Sequence, residues 1–303
     1  MAACFRVIDG GLDLAVMQAF PGSTVAWHCE FDKAPSAILA HHYPNIPNLG
    51  DVTKVDWEKV EPVDIITGGS PCQDLSTAGK RAGMTEGTRS NLWVNMREAI
   101  AAIKPRLVVW ENVQGALSAE AYSSSDMESG KGFLGGGGGH LRALGRVLGD
   151  LAALGYDARW TTLRASEVGV PHHRARVFLI AYPSDTGCVG LQAARWGGGH
   201  GTQVAGSVGG EGTLPGDGGI YGRYEPVVRR WEQATGTTAP NPTELNRNGK
   251  PCLNVEFASW MMGLPKGWIT GVPGLSRAQQ LKAIGNGVVP QQAAAALLLL
   301  KGI

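Results

Sequence analysis

The chain has 303 residues, of which 43% are hydrophobic and 17% are charged, and its formal net charge at pH 7 is +1. This length predicts one large domain, or one domain with a smaller companion, and this composition excludes a wholly disordered chain. The near-neutral charge argues against a protein that coats nucleic acid nonspecifically, although it leaves room for a local basic face.

In the first 183 residues, strand-like and helix-like segments alternate. The predicted strands cover residues 6–9, 24–28, 63–67, 107–110, 160–163 and 177–182, and the predicted helices cover residues 12–20, 33–42, 92–103 and 141–154. This alternation predicts an α/β domain built on a mostly parallel, doubly wound sheet. Ligands of such sheets bind outside the carboxyl ends of the strands. Several unusual residues fall at those ends, namely Gly10, Gly11, Glu30, Cys72, Glu111 and Asn112.

The alternation stops after residue 183. Residues 184–223 contain 14 glycines in 40 positions, which predicts a loop-rich segment with little helix. Periodic apolar sequence returns at 255–264 and again from 281 to the end. The apolar run 293–300 follows Pro290 and is too short to span a bilayer, so it predicts a buried terminal helix.

The number and spacing of the cysteines indicate the redox state of the cellular compartment and whether a metal site is expected. There are five cysteines, an odd number, and no two of them have CxxC spacing. A disulfide framework and a structural zinc site are therefore disfavoured, no metal site is predicted, and a reducing cytoplasm is favoured. The amino terminus has no basic region followed by an apolar run, so neither a signal peptide nor membrane association is expected.

Cys72, in "GGSPCQDLS" (68–76), has three interpretations. It is a small buried residue, as free cysteines usually are. Alternatively it is an acyl-transfer nucleophile, which needs a histidine base; His172 and His173 lie far along the chain in another motif. The third interpretation is attack on an electron-poor ring carbon, as in pyrimidine C5 chemistry.

The surroundings of Cys72 favour the third interpretation. Gly69 allows the backbone to approach a substrate closely, and Pro71 fixes the turn that presents the thiol. In "VVWENV" (108–113), Glu111 ends an apolar strand, where burial can raise the pKa of its carboxyl. The alternative for Glu111 is a residue that only caps the next helix.

Five segments in order resemble the motifs of one family, the cytosine-C5 DNA methyltransferases. They are "GGSPCQDLS" (68–76), "GTRSNLW" (87–93), "WENV" (110–113), "GVPHHRARVFLIA" (169–181) and "LKAIGNGVVPQQAA" (281–294). Ser70 stands where phenylalanine is commoner, and His172 replaces a glutamine of the family pattern. Each match alone is weak, but five in the family's order are specific.

The resemblance implies an S-adenosylmethionine-dependent methyltransferase fold with a smaller loop-rich target-recognition domain. The implied units are a catalytic and cofactor-binding domain (1–183), a target-recognition domain (184–270) and a segment that returns to the catalytic domain (271–303). It also implies a monomer that acts on double-stranded DNA in the cytoplasm, in restriction–modification with a cognate restriction endonuclease or in phage or prophage self-protection.

The resemblance also implies the roles of the catalytic residues. Cys72 would add to C6 of cytosine, which makes C5 nucleophilic. Glu111 would hydrogen-bond N3, and Arg176 and Arg174 would supply fixed positive charge near the base. The target cytosine would have to be flipped out of the duplex. The glycine-containing loop 76–87 after Cys72 would close over it.

For the cofactor, S-adenosylmethionine, the resemblance implies a set of contacts. Glu30 would bind the ribose hydroxyls and Asp51 the adenine amino group, unless both are ordinary loop acids. Trp27 or Phe31 would flank the adenine. The remaining contacts implied are the turn at Gly10 and Gly11 and the closing residues Asn286 and Val288.

The first motif departs from the family pattern Phe-x-Gly-x-Gly-Gly. In "CFRVIDGGLDLAV" (4–16) only Gly10, Gly11 and the next two residues match well. Either residues are missing between Asp9 and Gly10, or Phe5 is the family phenylalanine and the loop after it is altered. Both interpretations lose the glycine of Phe-x-Gly, so a DNA-binding relative with defective catalysis is one alternative function.

The region 184–270 would read DNA. Its arginines are candidates for contacts to phosphates or guanine edges, unless they are solvated surface charges; they are Arg195, Arg223, Arg229, Arg230 and Arg247. The segment 257–268 is expected to pack this region against the catalytic domain. An RNA cytosine-C5 methyltransferase of the same fold is the other alternative function.

Overall fold

A computed structural model of the chain describes residues 2–5, 10–69, 92–118, 142–184 and 219–302. It contains a six-stranded sheet in the order β2-β1-β3-β4-β6-β5. The strands are β1 (Ala2–Phe5), β2 (Val25–Cys29), β3 (Ile65–Gly68), β4 (Leu107–Val113), β5 (Tyr156–Arg164) and β6 (Ala175–Pro183). The strands β1 to β4 pair in parallel, whereas β6 runs antiparallel to both β4 and β5. The predicted mostly parallel α/β sheet is confirmed.

Helices cover both faces of this sheet and continue into the carboxyl-terminal part. Their bounds are α1 (Gly11–Ala19), α2 (Lys33–His42), α3 (Trp93–Ile103), α4 (Ala143–Ala153), α5 (Glu225–Thr235), α6 (Val255–Met261), α7 (Arg277–Asn286) and α8 (Pro290–Lys301). A short antiparallel hairpin of β7 (Thr243–Leu245) and β8 (Pro251–Leu253) precedes α6. The first four helices begin and end within two residues of their predicted bounds.

The first strand lies earlier than the sequence indicates. It was expected at 6–9, which lie outside the described residues, whereas β1 covers Ala2–Phe5. The pairing explains this position, because Phe5 aligns with Cys29 at the end of β2 and with Gly68 at the end of β3. Phe5 therefore ends its strand at the carboxyl edge of the sheet. This favours the interpretation in which Phe5 is the family phenylalanine and the segment before Gly10 is altered.

Two apolar clusters sandwich the sheet. On one face Trp27, Trp93 and Trp110 are each about 99–100% buried and pack with α3 and α4. The other face is covered by α1 and α8, whose Leu12 and Leu297 share a cluster. Tryptophan and leucine side chains of this size supply most of the apolar area that stabilises such a core.

A third cluster joins the carboxyl-terminal part to the sheet domain. It contains Trp231 of α5 and Trp260 of α6, together with Ile38 of α2 and Val170 from the turn before β6. Segments far apart in sequence therefore share one apolar interior. The segment 257–268 contributes Phe257 and Trp260 to this cluster, which also contains Ile38 and Val170.

Within the described residues, one helical stretch, Arg277–Lys301, is long and apolar enough to cross a membrane by length and composition. The most apolar part of this stretch is 61% buried inside the protein. The stretch also breaks between α7 and α8, and α8 packs on α1, β5 and β6. Those contacts are the ones a core helix makes.

Candidate active site

Glu111 and Arg176 form a partly buried ion pair between neighbouring strands. Arg176 Nε lies 2.8 Å from Glu111 Oε1, and each side chain is 12% exposed. The antiparallel pairing of β4 with β6 sets this geometry, since it places Val113 opposite Arg176 and Glu111 opposite Phe178. Burial raises the pKa of Glu111, while the charges of Arg176 and Arg174 act in the opposite direction. The carboxyl therefore holds a proton more readily than that of an exposed glutamate.

Gly69 brings the start of the Cys72 loop against this carboxyl. A β-carbon at position 69 would lie 2.8 Å from the carbonyl oxygen of Glu111 and 3.2 Å from its Oε2. Only glycine tolerates that approach. Gly69 follows the last residue of β3, Gly68, which pairs with Trp110. Cys72, three positions further along, lies outside the described residues.

Arg174 binds the segment that the resemblance assigns to the closing motif. Its Nη1 donates to the carbonyl of Gly285 at 2.7 Å and its Nη2 donates to the carbonyl of Gly287 at 2.6 Å. The fully buried amide of Gln292 donates to the carbonyls of Leu163 and Arg174 at 2.7 and 2.9 Å. These bonds hold the end of α7 and the start of α8 beside the Glu111–Arg176 pair.

Asn286 and Val288 alternate with those two glycines. Asn286 is the last residue of α7, and Val288 packs on the cluster that contains Leu12. Leu12 follows Gly11 directly in α1. Val288 therefore packs on the same apolar cluster as α1, the helix that the glycine turn precedes.

His172, which replaces the family glutamine, is held neutral. Burial, followed by the charge of Arg174, lowers the pKa of its imidazole to about 4. Its Nδ1 accepts a long hydrogen bond of 3.4 Å from the backbone N–H of Arg174. A neutral ring at this position resembles a glutamine amide in charge, so the replacement keeps the electrostatics of the motif.

Asn48 joins the backbone of Glu30 to that of Gly50, the residue before Asp51. The Asn48 side chain accepts from the N–H of Glu30 at 2.9 Å and from the N–H of Gly50 at 3.1 Å, and it donates to the carbonyl of Glu30. Glu30 directly follows Cys29, the last residue of β2, with 3% exposure, and its Oε1 accepts from the N–H of Asp32 at 2.7 Å. Hydrogen bonds from Thr53 lower the pKa of Asp51, which keeps that carboxylate ionised. Two carboxylates therefore share one edge of the sheet.

The glycine turn lies at the same edge. Gly10 has φ +77°, a conformation that favours glycine, and its carbonyl accepts the first helical hydrogen bond, from Leu14. A β-carbon on Gly10 would lie 3.3 Å from Cζ2 of Trp268. Of the two aromatic residues considered beside the cofactor, Trp27 is 1% exposed inside the core, whereas Phe31 is 70% exposed.

Sequence reasoning missed two contacts here. Asp13 Oδ2 lies 3.5 Å from His28 Nε2, and both side chains are 1% exposed. The ring of Trp268 stacks on His42 with centroids 3.6 Å apart and planes at 4°, and its carbonyl contacts His42 Nε2 at 2.7 Å. A clue to the first was available, because Asp13 interrupts the buried apolar face of α1. The second joins residues 226 positions apart and has no local signal.

A family model matches a large part of the chain. Residues 8–197, more than half of the chain, match the family model described as C-5 cytosine-specific DNA methylase. The chain belongs to this family. The matched range contains the glycine turn, Glu30, Glu111 and Arg176.

Curated relatives match over part of their length. The Type II methyltransferase M.NgoBV of Neisseria gonorrhoeae is 34% identical over 173 residues, which are 56% of this chain and 38% of that protein. The Type II methyltransferase M.NlaIV of Neisseria lactamica is 33% identical over the same shares of both chains. The matched region thus spans well under half the length of these relatives.

A solved structure agrees over nearly the whole chain. The crystal structure of a Spodoptera frugiperda DNMT2 mutant superposes with a TM-score of 0.58 and covers 99% of this chain and 98% of that one, at 14% identity. At this identity the likeness concerns the fold. It supports the methyltransferase fold that the sequence motifs imply.

Proposed function

We propose that the chain is a DNA (cytosine-5)-methyltransferase that uses S-adenosylmethionine and acts through Cys72. The observation that carries the proposal is the close approach of Gly69 to Glu111, where a β-carbon added at Gly69 would lie 2.8 Å from the carbonyl oxygen. A loop that leaves Gly69 begins beside a buried carboxyl already paired with Arg176. Thiol, carboxyl and guanidinium are the three groups needed to activate a cytosine ring.

In this mechanism the thiolate of Cys72 forms a bond to C6 of the flipped base. The electron pair of the C5–C6 double bond then forms a C4–C5 double bond, and that of the C4–N3 double bond moves to N3. Glu111, when protonated, stabilises the charge on N3 by donating a hydrogen bond to it. Arg176 holds the carboxyl in place and adds positive charge beside the ring. After transfer, loss of the C5 proton and cleavage of the bond from Cys72 to C6 restore the aromatic ring.

The residues around the glycine turn fit the cofactor. Glu30 presents a buried carboxylate for ribose hydroxyls, Asp51 presents an ionised carboxylate for an amino group, and Phe31 exposes an aromatic face next to Glu30. Gly10 and Gly11 would leave room at the start of α1 for the methionine part, beside Asn286 and Val288. When bound, S-adenosylmethionine supplies an electrophilic methyl group on a sulfonium.

The proposal extends to the organisation of the chain and to its partners. Residues 1–183 and 271–303 would form the catalytic unit, and 184–270 would recognise double-stranded DNA. We propose that the protein acts as a monomer in the cytoplasm, in restriction–modification beside a cognate endonuclease or in self-protection of a phage or prophage. The names of the two Neisseria relatives support the first of these roles.

The experiment is transfer of a labelled methyl group from S-adenosylmethionine to unmethylated duplex DNA, with base-resolution mapping of the product. We expect 5-methylcytosine at one recurring sequence, and no product from Cys72→Ser. Cys188→Ser is the matched control and should retain activity. Methyl groups on RNA and none on DNA would favour the RNA enzyme. Absent transfer by folded protein that binds DNA would favour the catalytically defective relative.

A further inference from the structure

The hairpin of β7 and β8, residues 243–253, is a two-stranded ribbon with an exposed turn. Thr243 pairs with Leu253 and Leu245 pairs with Pro251. The turn is organised by Asn246, whose side chain accepts from the N–H groups of Asn248 at 2.9 Å and Lys250 at 3.0 Å. A turn held by its own side chain loses little conformational freedom when it binds a partner.

The tip of this hairpin carries cations directed at solvent. Arg247, Asn248 and Lys250 are all exposed. In the part of the chain that the structure describes, neither Arg247 nor Lys250 forms an ion pair. Arg229 on α5 differs, since it pairs with Glu225 and Glu232 at 2.7 Å each. The hairpin tip therefore offers positive charge that no carboxylate among the described residues neutralises.

The hairpin is fixed to the element that ends at the candidate active site. Arg277, the first residue of α7, pairs with Glu244 of β7 and donates to the carbonyl of Leu253 in β8. At its other end α7 reaches Gly285, whose carbonyl accepts from Arg174. Ten helical residues span about 15 Å, roughly the rise of four or five base pairs. This distance suits an element that reads bases flanking the target.

We propose that the 243–253 hairpin enters the major groove of duplex DNA, with Arg247 reading a base edge and Lys250 contacting a phosphate. The major groove admits a two-stranded ribbon, and arginine pairs with guanine there. The outward ribbon face exposes Leu245 at 72% and Leu253 at 48%, and thymine methyl groups provide an apolar surface for such side chains. This inference rests on the proposed methyltransferase function and names the element that would recognise the DNA sequence.

The test compares Arg247→Ala and Lys250→Ala with wild type in methylation mapping and in duplex binding at several salt concentrations. Arg247→Ala should weaken binding to the cognate duplex about 10- to 100-fold and relax the preference at one base pair. Lys250→Ala should weaken binding equally on all duplexes. It should also reduce the salt slope, the steepness of the plot of log binding constant against log salt concentration, by about 1. Arg106→Ala, before β4 at the opposite edge of the sheet, is the matched control and should change neither.

The outcomes separate the hairpin from the enzyme. If wild type methylates one recurring site and Arg247→Ala keeps the same preference and affinity, the hairpin does not read DNA although the proposed function stands. If Arg247→Ala changes only the salt slope, its assignment to a base edge is overturned. If wild type neither binds nor methylates duplex DNA, the proposed function fails and the hairpin inference fails with it. Thermal unfolding of each variant checks that the fold is intact.

Discussion

Arg176 Nε lies 2.8 Å from Glu111 Oε1 where β4 and β6 run side by side. Both side chains are 12% exposed, so each charge depends on the other more than a surface pair would. A β-carbon added at Gly69, where the Cys72 loop begins, would lie 3.2 Å from Oε2 of the same carboxyl. One ion pair therefore supports both the stability of the sheet edge and the proposed chemistry.

Removal of Arg176 is expected to destabilise the fold. Arg176→Ala leaves Glu111 buried without its nearest cation, and breaking a partly buried pair in this way costs about 3 kcal/mol. Urea unfolding measures the loss. The double variant Glu111→Gln with Arg176→Ala should recover part of it, because a neutral amide needs no cation. Glu111→Gln alone completes the cycle, and a double variant that loses as much as the two single variants together would show that the pair contributes no coupling.

Glu111 is expected to control the alkaline side of the pH profile. Burial raises the pKa of its carboxyl, and the protonated form is the one that donates to N3. The kcat measured at saturating cofactor and DNA should therefore fall as pH rises through this raised pKa. Glu111→Gln donates at every pH, so it should lose the falling limb, and Glu111→Ala should lower kcat about 10²- to 10⁴-fold. A falling limb unchanged in Glu111→Gln would assign it to another group.

The alternation of apolar strands and helices was enough to predict β2 to β6 and the first four helices. These elements could be predicted because the spacing of apolar residues within each one shows which face it buries. The carboxyl-edge position of Glu30 and Glu111 followed from that sheet. The contact of Arg176 with Glu111 did not, since it depends on β6 lying antiparallel beside β4. Strand order is a property of the whole chain rather than of any local segment.

Gly69→Ala is expected to impair catalysis more than stability. The added methyl group would lie 2.8 Å from the carbonyl oxygen of Glu111, so the start of the Cys72 loop must move. A displacement of about 1 Å in a catalytic group can lower kcat about 10²-fold. Single-turnover methyl transfer at saturating cofactor and DNA measures this.

Gly149→Ala is the control for Gly69→Ala. Gly149 lies inside α4, and a β-carbon there meets no atom within 4 Å. This variant should gain about 0.5–1 kcal/mol in free energy of unfolding and keep its kcat. If Gly69→Ala behaves in the same way, the loop does not depend on its close approach to Glu111.

His172→Gln is expected to keep activity. The imidazole pKa of about 4 means that the ring is neutral at pH 7, so the family's glutamine replaces one neutral group with another. His172→Lys should lose activity, because it adds a charge beside Arg174. His173, exposed and adjacent, provides the control variant His173→Gln. Steady-state kinetics between pH 5 and pH 8 tests this. If His172 became charged in that range, activity would show a step in wild type and in His173→Gln that is absent from His172→Gln.

Trp268 is expected to act on cofactor affinity rather than on the chemical step. Its ring stacks on His42 at 3.6 Å and its Cζ2 would lie 3.3 Å from a β-carbon on Gly10, so it covers the glycine turn. Removal of this cover should loosen the glycine turn, and a loss of about 1.4 kcal/mol in binding free energy corresponds to a tenfold change in affinity. Trp268→Ala should therefore raise the Kd for S-adenosylmethionine about tenfold, measured by calorimetry, with kcat at saturation unchanged. Trp160→Ala, on the edge strand β5 and 45% exposed, should leave that Kd unaltered. An unchanged Kd in Trp268→Ala would mean that the glycine turn keeps its shape without this cover.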